Sequence, residues 1–268
     1  MTELNCNIES ENLTDGNQIL GSVPKLINTK INFLGKNNIL YCDENVEIIN
    51  STLNFNCDNS LIFLNKGLYY LNAAIHFDSV LYIGENNYFN PGGNPINIIV
   101  SEHKNVFIGN GNLFSTNISI RNADSHLIYN SKTKKRINPS KSCYIGDKVW
   151  IGQNAVILKG SMVYSNCIIG ANSVVPNKKL KSGRIYAGNP IKQIKKNICW
   201  QGKCVHKWDK NMTAENECLS DDFIAYKYSK KEFISFDIVE KNLDNFSLAF
   251  DKCNYLKNLS KNINRFTR

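Results

Sequence analysis

No stretch of the chain approaches the ~18 consecutive apolar residues that a membrane-spanning helix needs. The N-terminus, Met1-Thr-Glu-Leu-Asn, has neither a basic n-region nor an apolar h-region. The expectation is therefore a chain without a signal peptide that stays in the cytoplasm. No Cys-x-x-Cys pair occurs among the nine cysteines, which removes zinc-ribbon and thioredoxin spacings. Their odd number argues against a disulfide framework; in a reducing compartment such cysteines are small, weakly polar fillers. Proline is scarce at 6 residues and glycine ordinary at 16, which excludes collagen-like and low-complexity chains. Acidic residues are in deficit, 23 Asp and Glu against 32 Lys and Arg, for a formal charge of +9. That balance points to an anionic partner without choosing among nucleic acid, acidic lipid, phosphorylated cofactor and acidic polymer.

What is present is a globular chain of 268 residues with 42% hydrophobic residues. This suffices for one large domain, or a large domain with an appendage. Asparagine is unusually frequent, about 40 residues. Its short side chain suits tight corners.

A six-residue repeat decides the fold class. From Ile145 the sequence divides as IGDKVW, IGQNAV, ILKGSM, VYSNCI and IGANSV, led by Ile145, Ile151, Ile157, Val163 and Ile169, with Val175 continuing the series. Position two is Gly146, Gly152 and Gly170 in three of these five hexads, and position five is always small or β-branched. The period is neither 2 nor 3.6, so it describes neither a long strand nor a helix. It fits short strands joined by sharp corners, three hexads closing a triangular coil of about 18 residues, with coils stacked roughly 4.8 Å apart. Upstream, Ile83-Gly84, Ile108-Gly109, Phe114 and Ile120 keep a looser version. The reading is an all-β solenoid over residues 28–196, with corner loops at Tyr88–Pro95 and Tyr129–Ser142 and an irregular N-terminal cap at 1–27. Residues 197–268 form a small C-terminal extension. There, FIAYKYSKKEFISF suggests a hairpin turning near Ser229-Lys230. Val239, Leu243, Phe246, Phe250, Cys253, Leu256 and Leu259 then mark one amphipathic helix, which either caps the open end of the solenoid or serves a partner.

Over about residues 105–196 the chain resembles the hexapeptide-repeat acetyltransferases, and within them the sugar and capsular-polysaccharide O-acetyltransferases. The residues that carry the likeness are the hexads, NADSHLI at 122–128, VWIG at 149–152 and SVVPNKKLKSGRIYAGNPIKQIKK at 173–196. The resemblance implies a left-handed parallel β-helix, a homotrimer, acetyl-CoA as donor and no metal. It makes His126 the general base. Independently, deprotonating an attacking hydroxyl suits a neutral imidazole. Of His76, His103, His126 and His206, His126 lies where the repeat meets an insertion, with an acid two residues away. Asp124 at i−2 shares a face with His126 if both lie in a strand. It then either orients the imidazole or bonds its own backbone at a corner; a backbone carbonyl is the other candidate for orienting the ring.

Trp150 ends the first hexad and points outward. Either a neighbouring subunit covers it, or it lines the acetyl and acceptor pocket as the resemblance implies; the two are compatible. Corner amides, with Gly146 and Gly152 allowing close approach, are candidate oxyanion donors. For CoA the resemblance carries over to Gly152, Gln153, Ala171, Lys192 and Lys195. Where the family often has Thr-Lys after S-x-V, this chain has Pro176-Asn177 and then Lys178-Lys179. Asn177 and Lys178 therefore stand for the basic contact. The insertion after His126 carries Lys132, Lys134, Lys135, Arg136 and Lys141. Lys134, Lys135 and Arg136 are candidates to grip an anionic glycan. The leading expectation is thus transfer of acetyl from acetyl-CoA to a hydroxyl of a bacterial surface carbohydrate, an acidic capsular polysaccharide above all. The alternatives are N-acetylation of an amino sugar nucleotide and a non-catalytic solenoid that binds through a basic face. A zinc carbonic anhydrase on the same fold needs three histidine ligands, and the family-like stretch from about residue 105 supplies only His126, with His103 just before it. No nucleic-acid-binding motif accompanies the charge.

Overall fold

A computed structural model describes residues 14–219, 233–259 and 265–268. Hydrophobic side chains lead each short strand inward, and the chain turns a corner after every strand. Successive strands therefore fall on three faces, the second of them made of two sheets. The first sheet runs from Gln18–Gly21 through Val80–Ile83, Asn105–Ile108 and Cys143–Ile145 to Lys179–Leu180, eight strands in all. The second face begins with Lys25–Ile27 and continues through Tyr88–Phe89, Leu113–Phe114 and Trp150–Ile151 to Arg184–Ala187. The third has seven strands, from Lys30–Phe33 through Ser119–Arg121 and Val156–Leu158 to Val174–Val175. The result is a triangular prism of about seven coils. No helix of the described residues is long and apolar enough to cross a membrane.

The hexad leaders stack in register. Ile83, Ile108, Ile145 and Val163 pair along one sheet. Phe89, Phe114, Ile151 and Ile169 pair along the second, and Ile98, Ile120, Ile157 and Val175 along the third. All are buried in one continuous core. The corners explain the asparagines. A dozen of them, including Asn28, Asn50, Asn154, Asn166 and Asn172, hold positive φ, a conformation that asparagine tolerates better than most residues. The position-two glycines have a different cause. A Cβ on Gly109 would lie 2.7 Å from the backbone carbonyl of Gly146, and one on Gly152 would lie 2.6 Å from the amide nitrogen of Ala171. The next coil passes too close for any side chain.

Three expectations are corrected. The solenoid begins at Gln18 rather than at 28, because Gln18–Gly21 and Lys25–Ile27 already pair with the next coil. The described part of residues 1–27 is therefore coil, not cap. The single C-terminal helix is two, Phe236–Asn245 (α2) and Ala249–Lys257 (α3), after a short α1 at Lys210–Glu215. Phe246 leaves the helical conformation as the C-cap of α2, and Phe250 is 50% exposed. The hairpin expected over 223–236 lies mostly outside the described residues, and Phe236 starts a helix.

Nor do these helices cap the open end. They lie along the outside of the first sheet, whose outward residues are a ring-on-ring aromatic column. Tyr41, Phe63, Tyr82 and Phe107 stack at 4.1, 5.3 and 4.3 Å. Phe236, Val239, Leu243, Cys253, Leu256 and Phe266 close over that column as a second apolar cluster. Burying several aromatic faces outweighs covering one strand edge. The last coil is followed instead by Lys192–Lys196, which turns back antiparallel onto Arg184–Ala187. Cys42, Cys143 and Cys167 are free and buried, and burial pushes each thiol up to about 12.

Candidate functional site

The insertion that carries His126 leaves the prism at the edge between the third and first sheets, after Arg121 and before Cys143. Its tip folds as a small antiparallel ladder: Tyr129 bridges Arg136, and the Ile137 amide donates to the Ile128 carbonyl at 2.9 Å. Its base is fixed by Asn138, which is 6% exposed. The Asn138 amide donates to the Asp124 carboxylate at 3.0 Å and to the His126 carbonyl at 2.8 Å, and it accepts from the Ile128 amide at 2.8 Å. His126 is thus held through its backbone. Its imidazole is exposed and makes no hydrogen bond among the described residues.

Asp124 does not orient that ring. Residues 122–128 are not a strand, so the i−2 rule for shared faces does not apply. The Asp124 carboxylate is occupied by the Lys159 ammonium and Asn138, and these two hold its pKa below the usual carboxylate range. The Lys159 ammonium also donates to the Asn138 carbonyl at 3.1 Å. Arg136 is likewise not a free cation. Its guanidinium forks onto the Glu102 carboxylate, which also accepts from Ser140. Arg136 and Ser140 together hold Glu102 at about 2. This ionised latch persists through neutral pH and is lost only as pH falls from the carboxylate's ordinary 4.5 through about 2. Lys134 and Lys135 remain exposed at the tip. Lys159 sits in the hexad ILKGSM and Asn138 in the insertion, but nothing in the sequence marks either of them, or Glu102, as part of the site. A cleft of about 280 Å³ adjoins this edge, lined by Ser101, Glu102, Arg121, Asp124, Ser125 and Leu127 among others.

Trp150 stands on the second face, 39% exposed. It belongs to an outward apolar column, Tyr88, Leu113, Trp150, Ile168 and Ile185, paired strand to strand. Trp200, from beyond the repeat, packs against it at 6.2 Å between ring centroids. In a triangular coil the edge between the third and first faces points away from the second. His126 and Trp150 therefore lie on opposite sides of one chain.

The residues expected to hold CoA separate into groups. Gln153 and Ala171 are exposed and stack at the edge between the second and third faces, where the Asn172 amide donates to the Gln153 carbonyl at 2.8 Å. Lys192 and Lys195 project from a fully exposed strand. Asn177 and Lys178 sit one edge away, after Val175, with the Lys178 ammonium 3.4 Å from the Ile191 carbonyl. Gly152 differs from these exposed residues. It is buried under the next coil, and its amide donates to the Ile169 carbonyl at 2.8 Å. The Gly146 amide is spent in the same way on Val163 at 2.8 Å. Neither is available as an oxyanion donor.

The profile of the bacterial transferase hexapeptide (six repeats) matches residues 142–177. The chain is 32% identical over 133 residues to the polysialic acid O-acetyltransferase of Escherichia coli O1:K1 / APEC, covering 50% of this chain and 40% of that protein. It is 31% identical over 109 residues to the polysialic acid O-acetyltransferase of Neisseria meningitidis, covering 41% of this chain and 51% of the relative. The chain thus spans about half the length of the curated relatives it matches. The crystal structure of the polySia specific acetyltransferase NeuO superposes with a TM-score of 0.61 at 28% identity, covering 80% of this chain and 91% of that one. The chain thus carries the bacterial transferase hexapeptide repeat on a left-handed parallel β-helix, and it is similar to bacterial polysaccharide O-acetyltransferases.

Proposed function

We propose that this protein is an acetyl-CoA-dependent O-acetyltransferase of an anionic bacterial carbohydrate, with His126 as general base, working as a homotrimer. The observation that carries the reading is the exposed, unbonded imidazole on a loop whose backbone is braced by Asn138. A base must be free to meet its substrate, and this one is. His126 takes the hydroxyl proton as the carbon–oxygen bond forms, then returns it to the sulfur as the carbon–sulfur bond breaks. Acetyl-CoA, when bound, supplies the activated acyl group. The donor set fits a phosphorylated ligand, with exposed Lys192 and Lys195 just past the stacked edge that bears Gln153 and Ala171. Asp124 braces the loop instead of the ring.

The opposite placement of His126 and Trp150 supports assembly. A second copy that sets its His126 loop against this chain's Trp150 column brings the two side chains together. It also covers Leu127, Ile128, Tyr129 and Ile137 on the loop, each at least 50% exposed. The test combines activity with mass. Free CoA should be released from acetyl-CoA only when an acidic glycan is added, by a species that sediments as a trimer. Release without acceptor, or a fully active monomer at micromolar concentration, counts against the reading.

Lys134 and Lys135, exposed at the loop tip, are the acceptor cations. Changing both to alanine should raise the acceptor KM about 3- to 30-fold at low salt, at roughly 0.3–1 kcal/mol per charge. The acetyl-CoA KM should stay unchanged. The effect should shrink as the Debye length falls from ~10 Å at 0.1 M salt towards ~3 Å at 1 M. An unchanged acceptor KM would make the two lysines merely solvated. Arg136→Ala should act differently, freeing Glu102 and loosening the loop, and so lowering kcat as well.

A further inference from the structure

The segment after the solenoid has no part in the reading above, yet it builds a cavity of about 320 Å³ lined by Trp200, Gln201, Lys203, Trp208 and Asn216, together with Cys199, Cys218 and Leu219. Its walls are braced. Trp200 is 9% exposed, and its indole N–H donates to the Lys148 carbonyl at 3.0 Å. The Lys203 ammonium donates to the Asn216 side-chain oxygen at 2.9 Å. Asp209 caps α1, between Trp208 and Asn216, by accepting from the Met212 amide at 2.8 Å. The cavity adjoins the transfer site, because Trp200 contacts Trp150.

The lining combines two indoles, two side-chain amides and one ammonium, with no carboxylate among its described residues. A sugar ring presents an apolar C–H face that packs on an indole, while its edge hydroxyls pair with amides. A sugar carboxylate would pair with a lysine. The volume lies at the small end of the ~300–1,000 Å³ range for ligand pockets, which suits one or two sugar units and not the whole of CoA. We infer that this cavity is a subsite for a sugar unit of an anionic acceptor, adjacent in the glycan to the unit that is acetylated. The inference rests on the transferase reading and deepens it: a site that holds a neighbouring unit favours an oligomeric or polymeric acceptor over a single sugar.

The test uses the full chain under reductant, since Cys199 and Cys218 share the cavity. A short polysialic acid oligomer and a neutral maltooligosaccharide of equal length are titrated by calorimetry without acetyl-CoA, and acetyl-transfer kinetics are measured in parallel. Wild type should bind the anionic oligomer more tightly. Trp208→Ala should weaken that binding about tenfold and raise the oligomer KM to match, leaving the acetyl-CoA KM unchanged. Lys203→Met, a change at an exposed side chain, should weaken the anionic oligomer alone. Oligomer binding unchanged in both variants, or a defect confined to the acetyl-CoA KM, overturns the subsite. If wild type transfers acetyl groups while neither variant changes acceptor binding, the subsite fails and the transferase reading stands. If wild type binds the oligomer in a Trp208- and Lys203-dependent way but transfers to no acceptor, the subsite stands and the transferase reading fails.

Discussion

His126→Ala should lower kcat/KM for acetyl transfer about 10²- to 10⁴-fold, the usual cost of losing a general base. The fold should be unaffected, because the bond that holds this residue goes to its carbonyl and not its ring. The acetyl-CoA KM should be nearly unchanged, since Gln153, Ala171, Lys192 and Lys195 lie on other edges and strands. Asn138→Ala provides the contrast. It removes three hydrogen bonds from the segment 124–128, so it should lower activity by displacing an intact imidazole and should also destabilise the loop. Added imidazole should partly restore His126→Ala and do nothing for Asn138→Ala. If His126→Ala retains more than about a tenth of wild-type turnover, the base is another group.

The coil itself was legible because the hexad is local. Each leader from Ile145 to Val175 is buried by the same position one coil away, so a spacing in the sequence becomes a register in space. The asparagines were legible for the same reason, as single-residue corners. The site was legible only where a motif names a residue. The DSH sequence places His126 on an insertion. The bond partners of Asp124 and Arg136 come from Lys159 and Glu102, each 34 or 35 residues away, and no short-range pattern encodes them. The strand reading of Asp124 failed because the chain leaves the sheet at Arg121, before the motif begins. The C-terminal helices were misplaced for a related reason. Their own periodicity states that one side is apolar but not what it meets. The meeting surface is the aromatic column of Tyr41, Phe63, Tyr82 and Phe107, whose members lie in four different coils.

The C-terminal tail makes the energetic case for treating residues 233–259 and 265–268 as part of the body. Arg265 and Asp147 are each 0% exposed and form an ion pair of 3.0 Å. The guanidinium also donates to the Asn110 side chain at 2.8 Å, and the Asn110 amide donates to Asp147 at 2.7 Å. Asp147 is the corner of the first clear hexad, three residues before Trp150, so the tail plugs into the coil that presents the tryptophan. Removing one member leaves the other charge buried without this counter-charge. Arg265→Met or Asp147→Asn should therefore cost about 3–5 kcal/mol, read as a lower urea midpoint at unchanged slope. The double change should cost less than the sum of the two, because the second removes the charge that the first left stranded. The single changes should also reach the function. The corner that Asp147 fixes carries the Lys148 carbonyl that holds Trp200, so oligomer binding at the Trp200–Trp208 cavity should weaken in Asp147→Asn before the protein unfolds. A single variant within about 0.5 kcal/mol of wild type, the range of an ordinary surface change, would show that the pair contributes no more than its surroundings.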